Sequence, residues 1–277
     1  MNKEELIEQL RDDRTHGASE LAFIALQGIA VVVGQMDSTN LSLATRFKDL
    51  VQDISKVRPS MASLQNVVGE VFDRLAAENI HTPSLYKARL SRICADVAET
   101  ARLAQDRITE KMIDLIAPNE VIMTHSCSSI IKKILSQLID KNVEVIVTES
   151  RPGNEGQDLA RFLSDLHIET TYITEAQINI FMPEVTKVVL GADTILADGS
   201  VVNKAGTSLM AIAANYHGIP VYVCADQFKR SQQSSTEMEE MEAAELGVDL
   251  EHVSPRNFYF DITPAELVTV LVTDLTE

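Results

Sequence analysis

The apolar residues change their period near residue 118, and no other feature limits the fold as tightly. Before that point ELIEQLRDD, SELAFIALQGIAVVVGQM, SLQNVVGEVFDRLAAE and SLYKARLSRICADVAETARLAQDRITEKMIDLI repeat apolar side chains every three or four residues, the spacing of one helix face. Breaks at 16–17, 37–40, 58–60 and 81–84 divide this stretch into four or five helices, with Ser84, after Pro83, read as an N-cap. Pro118-Asn119 closes the bundle. Beyond it EVIMTH, VEVIVTES, ETTYI, KVVLGADTILA, IPVYVCAD and LVTVLVTD are short β-branched runs. They alternate with the helical stretches SSIIKKILSQLIDK, EGQDLARFLSDL, EAQINIFMPE and AGTSLMAIAANYH. Strand–helix alternation with nearly continuous apolar strands predicts a parallel, doubly wound sheet. The expected class is α/β: a helical domain over 1–117 and a parallel-sheet domain over 118–277. Asp198-Gly199 inside TILADGSVV predicts a tight hairpin. The polar, acidic stretch 231–253 reads as a long surface excursion, one reading of which is a mobile flap.

A chain of 277 residues can bury a full core, and its apolar share of 45% is ordinary for a globular protein. No uninterrupted apolar run reaches the roughly 18 residues of a membrane span, and the start is charged, so neither membrane nor signal segment is expected and the simplest location is cytoplasmic. The formal charge of -17 makes direct nucleic-acid binding a poor expectation. Any anion must be held by a local site working against the global charge. Three cysteines without CxxC spacing and six scattered histidines imply neither a disulfide framework nor a metal site, and no motif calls for a cofactor.

In open α/β sheets ligands sit at the carboxyl ends of the strands. Four polar turns fall there: THSCSS after EVIM, ESRPG after VIVT, GAD with NKAGTS after KVVL, and ADQFKR after VYVC. Ser126 and Ser128 open a helix whose unpaired N–H groups suit a phosphate, or simply cap the helix. Cys127 sits where a helix N-terminus can lower a thiol pKa, although a lone cysteine is more often inert. His125 has no adjacent acid to orient it. Asn203 and Lys204 precede Gly206, which lets the backbone approach an anion. Lys229 offers a second cation, and Arg151 offers a clamp or a partner for Glu149. Asp193, beside apolar walls, would have a raised pKa useful for proton transfer; its plainer role is to order a loop. Neither a P-loop nor a GxGxxG turn is present.

Taken together, IMTHSCSS, VTESRP, VVLGADTILADGSVVNKAGT, IPVYVCADQFK and FYFDITPAELVTVLVTDL resemble the regulatory alpha/beta/delta subunit family of translation initiation factor 2B. That family includes the ribose-1,5-bisphosphate and methylthioribose-1-phosphate isomerases. The resemblance covers 118–277 strongly and implies a helical domain joined to a Rossmann-like domain. It also implies pairing through the latter, with hexamers in the ribose bisphosphate branch. In the isomerases a cysteine and an aspartate convert an aldose 1-phosphate to a ketose. The aspartate matches Asp193, Asn203 and Lys204 match the ligand-binding pair, and Lys229 matches the last site lysine.

Two motifs depart from the isomerase pattern. Those enzymes read Thr-His-Cys-x-Ser, whereas this chain reads Thr124-His125-Ser126-Cys127-Ser128, so Ser126 holds the catalytic register. At a helix start one residue is roughly a 100° rotation, which predicts a Cys127 aimed elsewhere. Their phosphate-gripping Arg-Gly-Ala becomes Arg14-Thr15-His16-Gly17-Ala18. Arg14, Gly17 and Ala18 are the corresponding candidates. The implied function is a regulatory-subunit-like protein that binds a sugar phosphate or nucleotide monophosphate, forms homo-oligomers, and contacts translation initiation factor 2. The alternative is an aldose–ketose isomerase of ribose 1,5-bisphosphate or a related sugar 1-phosphate, using Asp193 and Cys127. A third is a scaffold alone.

Overall fold

The computed structural model describes residues 1–36 and 40–275, with the side chains of 40–42 left aside. Five helices come first: α1 (Lys3–Asp12), α2 (Ala18–Gln35), α3 (Asn40–Ile54), α4 (Ala62–Ala76) and α5 (Pro83–Leu115). The predicted break at 37–40 falls mostly outside the described residues, at Asp37, Ser38 and Thr39. Asn2 opens α1 through a capping box with Glu5. The predicted cap Ser84 is corrected: Thr82 caps α5, and Pro83 takes the first helical position, where its missing N–H costs nothing. Ser84 lies one residue inside the helix.

Helix α2 also corrects the expectation about apolar length. Its 18 residues have a mean hydropathy of 1.5, enough by length and composition to cross a membrane. The serine, glutamate and glutamines scattered through it hide this from a search for unbroken apolar runs. Half of the helix is buried within the protein, where Leu21, Ala25, Leu26, Ile29 and Val33 pack against α4 and α5. Each buried Leu, Ile or Val among them contributes roughly 2 kcal/mol.

The sheet has the order β3-β2-β1-β4-β7-β9 and is parallel throughout. Its strands are β1 (Val121–Thr124), β2 (Glu144–Thr148), β3 (Thr170–Ile173), β4 (Lys187–Gly191), β7 (Val221–Cys224) and β9 (Val270–Val272). Helices α6 (Ser129–Ser136), α7 (Gly156–Asp165), the one-turn α8 (Ile178–Phe181) and α9 (Thr207–Tyr216) connect them. The predicted run KVVLGADTILA divides into two strands. Its first half is β4, while Thr194–Ile195 forms β5 of a small antiparallel sheet with β6 (Val201–Lys204) and β8 (Phe260–Thr263). The β5–β6 connection turns at Asp198-Gly199, where Gly199 has φ +87°. That is the predicted hairpin.

The helical part and the sheet meet in a shared core. Leu196, Val202, Phe228, Tyr259 and Phe260 pack into the same apolar cluster as α1 to α5. The C-terminal carbonyls of α5 are taken up by lysines of the sheet part: Lys141 reaches Ile113 and Ile116, and Lys187 reaches Leu115. Cations at a helix C-terminus satisfy orphan acceptors and complement the dipole. The excursion 231–253 is tied to the helices, because Glu239 bonds Arg58 and Ser60, and Thr236 donates to the carbonyl of Pro59.

Candidate functional site

Strand order reverses between β1 and β4, so a crevice opens at their carboxyl ends. Beyond β1 comes His125, which is buried and held at both nitrogens. Nε2 donates to the carbonyl of Ala205 at 2.9 Å, and Nδ1 accepts from Thr148 Oγ1 at 2.6 Å. Burial pushes the imidazole pKa down to about 4, with the nearby Lys204 charge adding to the shift. A neutral ring fixed at both ends is a brace between strands. It is not a base for a neighbouring thiol.

Ser126 follows with φ +66°, and its N–H donates to Ser150 Oγ at 2.7 Å. Ser128 occupies the N-cap position of α6 in extended conformation, and its side chain makes no cap hydrogen bond. Helical rotation begins only at Ser129, so the 100° argument fails for residue 127. The expectation that Cys127 turns away is therefore corrected: both Ser126 and Cys127 line one cavity of about 190 Å³. Burial pushes the Cys127 thiol pKa up, and a hydrogen bond with Lys132 only partly opposes this. Of the two readings of this cysteine, helix-dipole activation does not prevail.

At the end of β4, Asp193 lines the same cavity. Burial raises its pKa, against the charges of Lys229 and Arg58 and a hydrogen bond from the Ala18 N–H. Its carboxylate thus sits at the N-terminus of α2, where the dipole favours negative charge. Arg14 and Gly17 also line the cavity. The loop carrying them is shaped by Asp13, whose carboxylate accepts from the N–H groups of Thr15 and His16 and meets His16 Nδ1 at 2.7 Å. Burial acts upward on Asp13, yet these bonds bring its pKa to about 2.

Lys204 completes the group of sequence candidates that the fold brings together. Its Nζ lies 2.8 Å from Glu155 Oε1 and 4.2 Å from the Tyr259 ring centroid, an ion pair and a cation–π contact on one buried ammonium.

Five candidates lie elsewhere. Ala18 is buried and commits its N–H to Asp193. Ser128 packs its hydroxyl against Gly191, where an added Cβ would come within 2.6 Å of Oγ. Asn203 is buried and donates to Thr207 Oγ1 at 2.9 Å, ordering the start of α9. Lys229 is buried outside the lining and acts on Asp193 and Asp226 through its charge. Arg151 is exposed on the loop after β2, outside the lining and without an ion pair among the described residues. The NKAGTS turn also changes meaning. Asp261, from β8, accepts from the N–H of Gly206 at 2.7 Å and of Ser208 at 3.1 Å, so an internal carboxylate fills that anion cradle. Burial pushes Asp261 up to about 6.

Sequence reasoning missed Arg58, Lys132, Glu155 and Tyr259, all of which line the cavity. Arg58 stood in a helix break, Lys132 in a helical run and Glu155 in a glycine-rich turn; only Tyr259, inside FYFDIT, belonged to a motif already singled out. Among the described residues no cluster of three or more His, Cys, Asp or Glu could hold a metal ion.

A sequence profile of the Initiation factor 2 subunit family matches residues 14–276. The chain is 33% identical to a Pyrococcus furiosus protein named translation initiation factor eIF-2B subunit 2-like, covering 98% of this chain and 94% of that one. It is 30% identical to the ribose 1,5-bisphosphate isomerase of Archaeoglobus fulgidus, covering 98% and 88% respectively. The crystal structure of the translation initiation factor eIF-2B of Pyrococcus horikoshii superposes with a TM-score of 0.86 at 30% identity, covering 98% of this chain and 94% of that one.

Proposed function

Because the chain belongs to the Initiation factor 2 subunit family, we propose that it is a regulatory-subunit-like protein that holds a phosphorylated small molecule in the β1–β4 cavity without turning it over. The ligand is a sugar phosphate or nucleotide monophosphate. The observation that carries this reading is the pairing of Ser126 with an unactivated Cys127 in a cavity that still contains Asp193, Arg14 and Lys204. A thiol whose pKa is raised is almost wholly protonated at neutral pH and is a poor nucleophile or proton shuttle.

The protein also assembles with copies of itself and with translation initiation factor 2 in this reading. Leu209, Ile212 and Tyr216 form an exposed apolar stripe along α9, with Tyr216 83% exposed, which suits a covered face. Light scattering on the purified protein tests the assembly, and a monomer at micromolar concentration would remove that part.

A second reading, an isomerase of ribose 1,5-bisphosphate, is favoured by one observation: Cys127 does reach the cavity. Phosphorus NMR with ribose 1,5-bisphosphate separates the two, with a thermal-shift scan on the same sample. A raised melting temperature with no ribulose 1,5-bisphosphate signal is expected. Turnover that Cys127→Ser abolishes would establish the isomerase instead.

A further inference from the structure

The cavity has four lining Lys and Arg residues, and the fold has already neutralised two of them. Lys204 is paired with Glu155 at 2.8 Å, and Arg58 with Glu239 at 2.8 Å. Both cations are nearly inaccessible, at 6% and 5% side-chain exposure, so solvent does little to weaken these pairs. Arg14 and Lys132 have no carboxylate partner among the described residues. They face the cavity together with Ser126 and the uncapped N-terminus of α6. They are the lining cations left for an anion, in a lining that also carries the carboxylates of Asp13, Glu20 and Asp158.

The same lining also offers an acceptor. Glu155 spends Oε1 on Lys204, while Oε2 is buried with no hydrogen-bond partner. A buried acceptor left unsatisfied costs about 1–3 kcal/mol, which a ligand donor would recover. Asp193 presents a second carboxyl group to the same space. A hydroxyl group can donate to such oxygens. A second phosphate, with charge near -2 at neutral pH, would instead meet repulsion there.

We propose that the cavity selects a singly phosphorylated, hydroxyl-bearing molecule over a bisphosphate, and that Glu155 is the residue setting this choice. The phosphate lies between Arg14, Lys132 and the α6 N-terminus, and a hydroxyl of the ligand donates to Glu155 Oε2. This rests on the phosphorylated-ligand reading above and narrows it to a substrate class. Glu155→Gln would release the Lys204 charge and turn one oxygen into a donor, making that part of the cavity attractive to a second phosphate.

Titration calorimetry of the full chain with ribose 5-phosphate and with ribose 1,5-bisphosphate tests it, followed by the same pair on E155Q. The wild-type protein should bind the monophosphate more tightly by about tenfold, and E155Q should reverse or erase that ratio. A wild-type preference for the bisphosphate would overturn the proposal while leaving the phosphorylated-ligand reading intact. A monophosphate preference that E155Q leaves unchanged, with the variant shown folded by circular dichroism, would overturn the role of Glu155. Binding of neither compound to either protein would overturn both readings. If E155Q does not fold, the wild-type ratio alone still decides the substrate class.

Discussion

The N-termini of α6 and α9 begin with similar small, polar residues, Ser126-Cys127-Ser128-Ser129 and Ala205-Gly206-Thr207-Ser208, yet among the described residues only the second has its N–H groups taken by a carboxylate. At α9 the carboxylate of Asp261 reaches in from a strand more than fifty residues downstream and takes two backbone N–H groups. At α6 no carboxylate among the described residues does so, and the turn lines the cavity. A helix N-terminus therefore offers an anion site only when no other part of the chain has filled it. This separates a turn left open at a cavity from one that holds the fold together.

Gly206 gives the largest test of that difference. It has φ +111°, and an added Cβ would sit 2.9 Å from the His125 ring, which is clamped at both nitrogens. Gly206→Ala should cost about 3 kcal/mol in denaturant unfolding, combining backbone strain with a clash the ring cannot yield to. A cost near zero would mean that the α9 turn is not the structural one.

Removing the internal anion comes next. Asp261→Ala should lower stability by about 1–2 kcal/mol through loss of the cap. It should also create phosphate affinity at α9 if that cradle is competent once emptied. Phosphate titration followed by amide shifts at Gly206 and Ser208 reads this directly.

The pH dependence sharpens the comparison further, because Asp261 and His125 meet at Gly206 and act in opposite senses. Folding raises Asp261 from 3.8 to about 6, so protonation favours the folded state. That contribution is complete below the unfolded value and is lost as pH rises through about 6. Folding lowers His125 from 6.5 to about 4, so its contribution is present above 6.5 and is lost as pH falls through about 4. The two slopes oppose each other between about pH 4 and 6. Asp261→Asn should unmask the His125 slope, seen as stability that rises more steeply with pH across that window.

The smallest effect belongs to the uncapped turn. Ser126 holds φ +66°, a conformation that favours glycine, and Ser126→Gly should stabilise the protein by about 0.5–1 kcal/mol. A loss of stability would mean that the serine hydroxyl makes a contact that matters more than the strain.

Much of the architecture was legible because periodicity depends only on neighbouring residues. The switch from a three-to-four spacing to short β-branched runs located four of the five helices and the parallel strands, and Asp198-Gly199 located the hairpin; α3 (Asn40–Ile54) lies in no quoted stretch. Where local signals conflicted, the reading slipped. Thr82 and Ser84 are both capable caps around Pro83, and only the hydrogen bond to Leu85 distinguishes them. KVVLGADTILA looked like one run because the change from the main sheet to the small one at Asp193 leaves the apolar pattern unbroken.

The candidate site was legible only in part, for a reason that also separates sequence from tertiary structure here. The chain alone determined that polar turns follow apolar strands, and a parallel sheet must bring such turns to one edge. Asp193, Lys204, Ser126 and Cys127 were reachable by that route. The partners of those groups were decided by the tertiary structure, because contact depends on distance in space and sequence separation carries no record of it. Glu155 neutralises Lys204 from 49 positions away, Glu239 holds Arg58 across 181, and Asp261 fills the α9 cradle from another sheet. A motif can name the groups at a site, and only packing sets how much of their charge is left for a ligand.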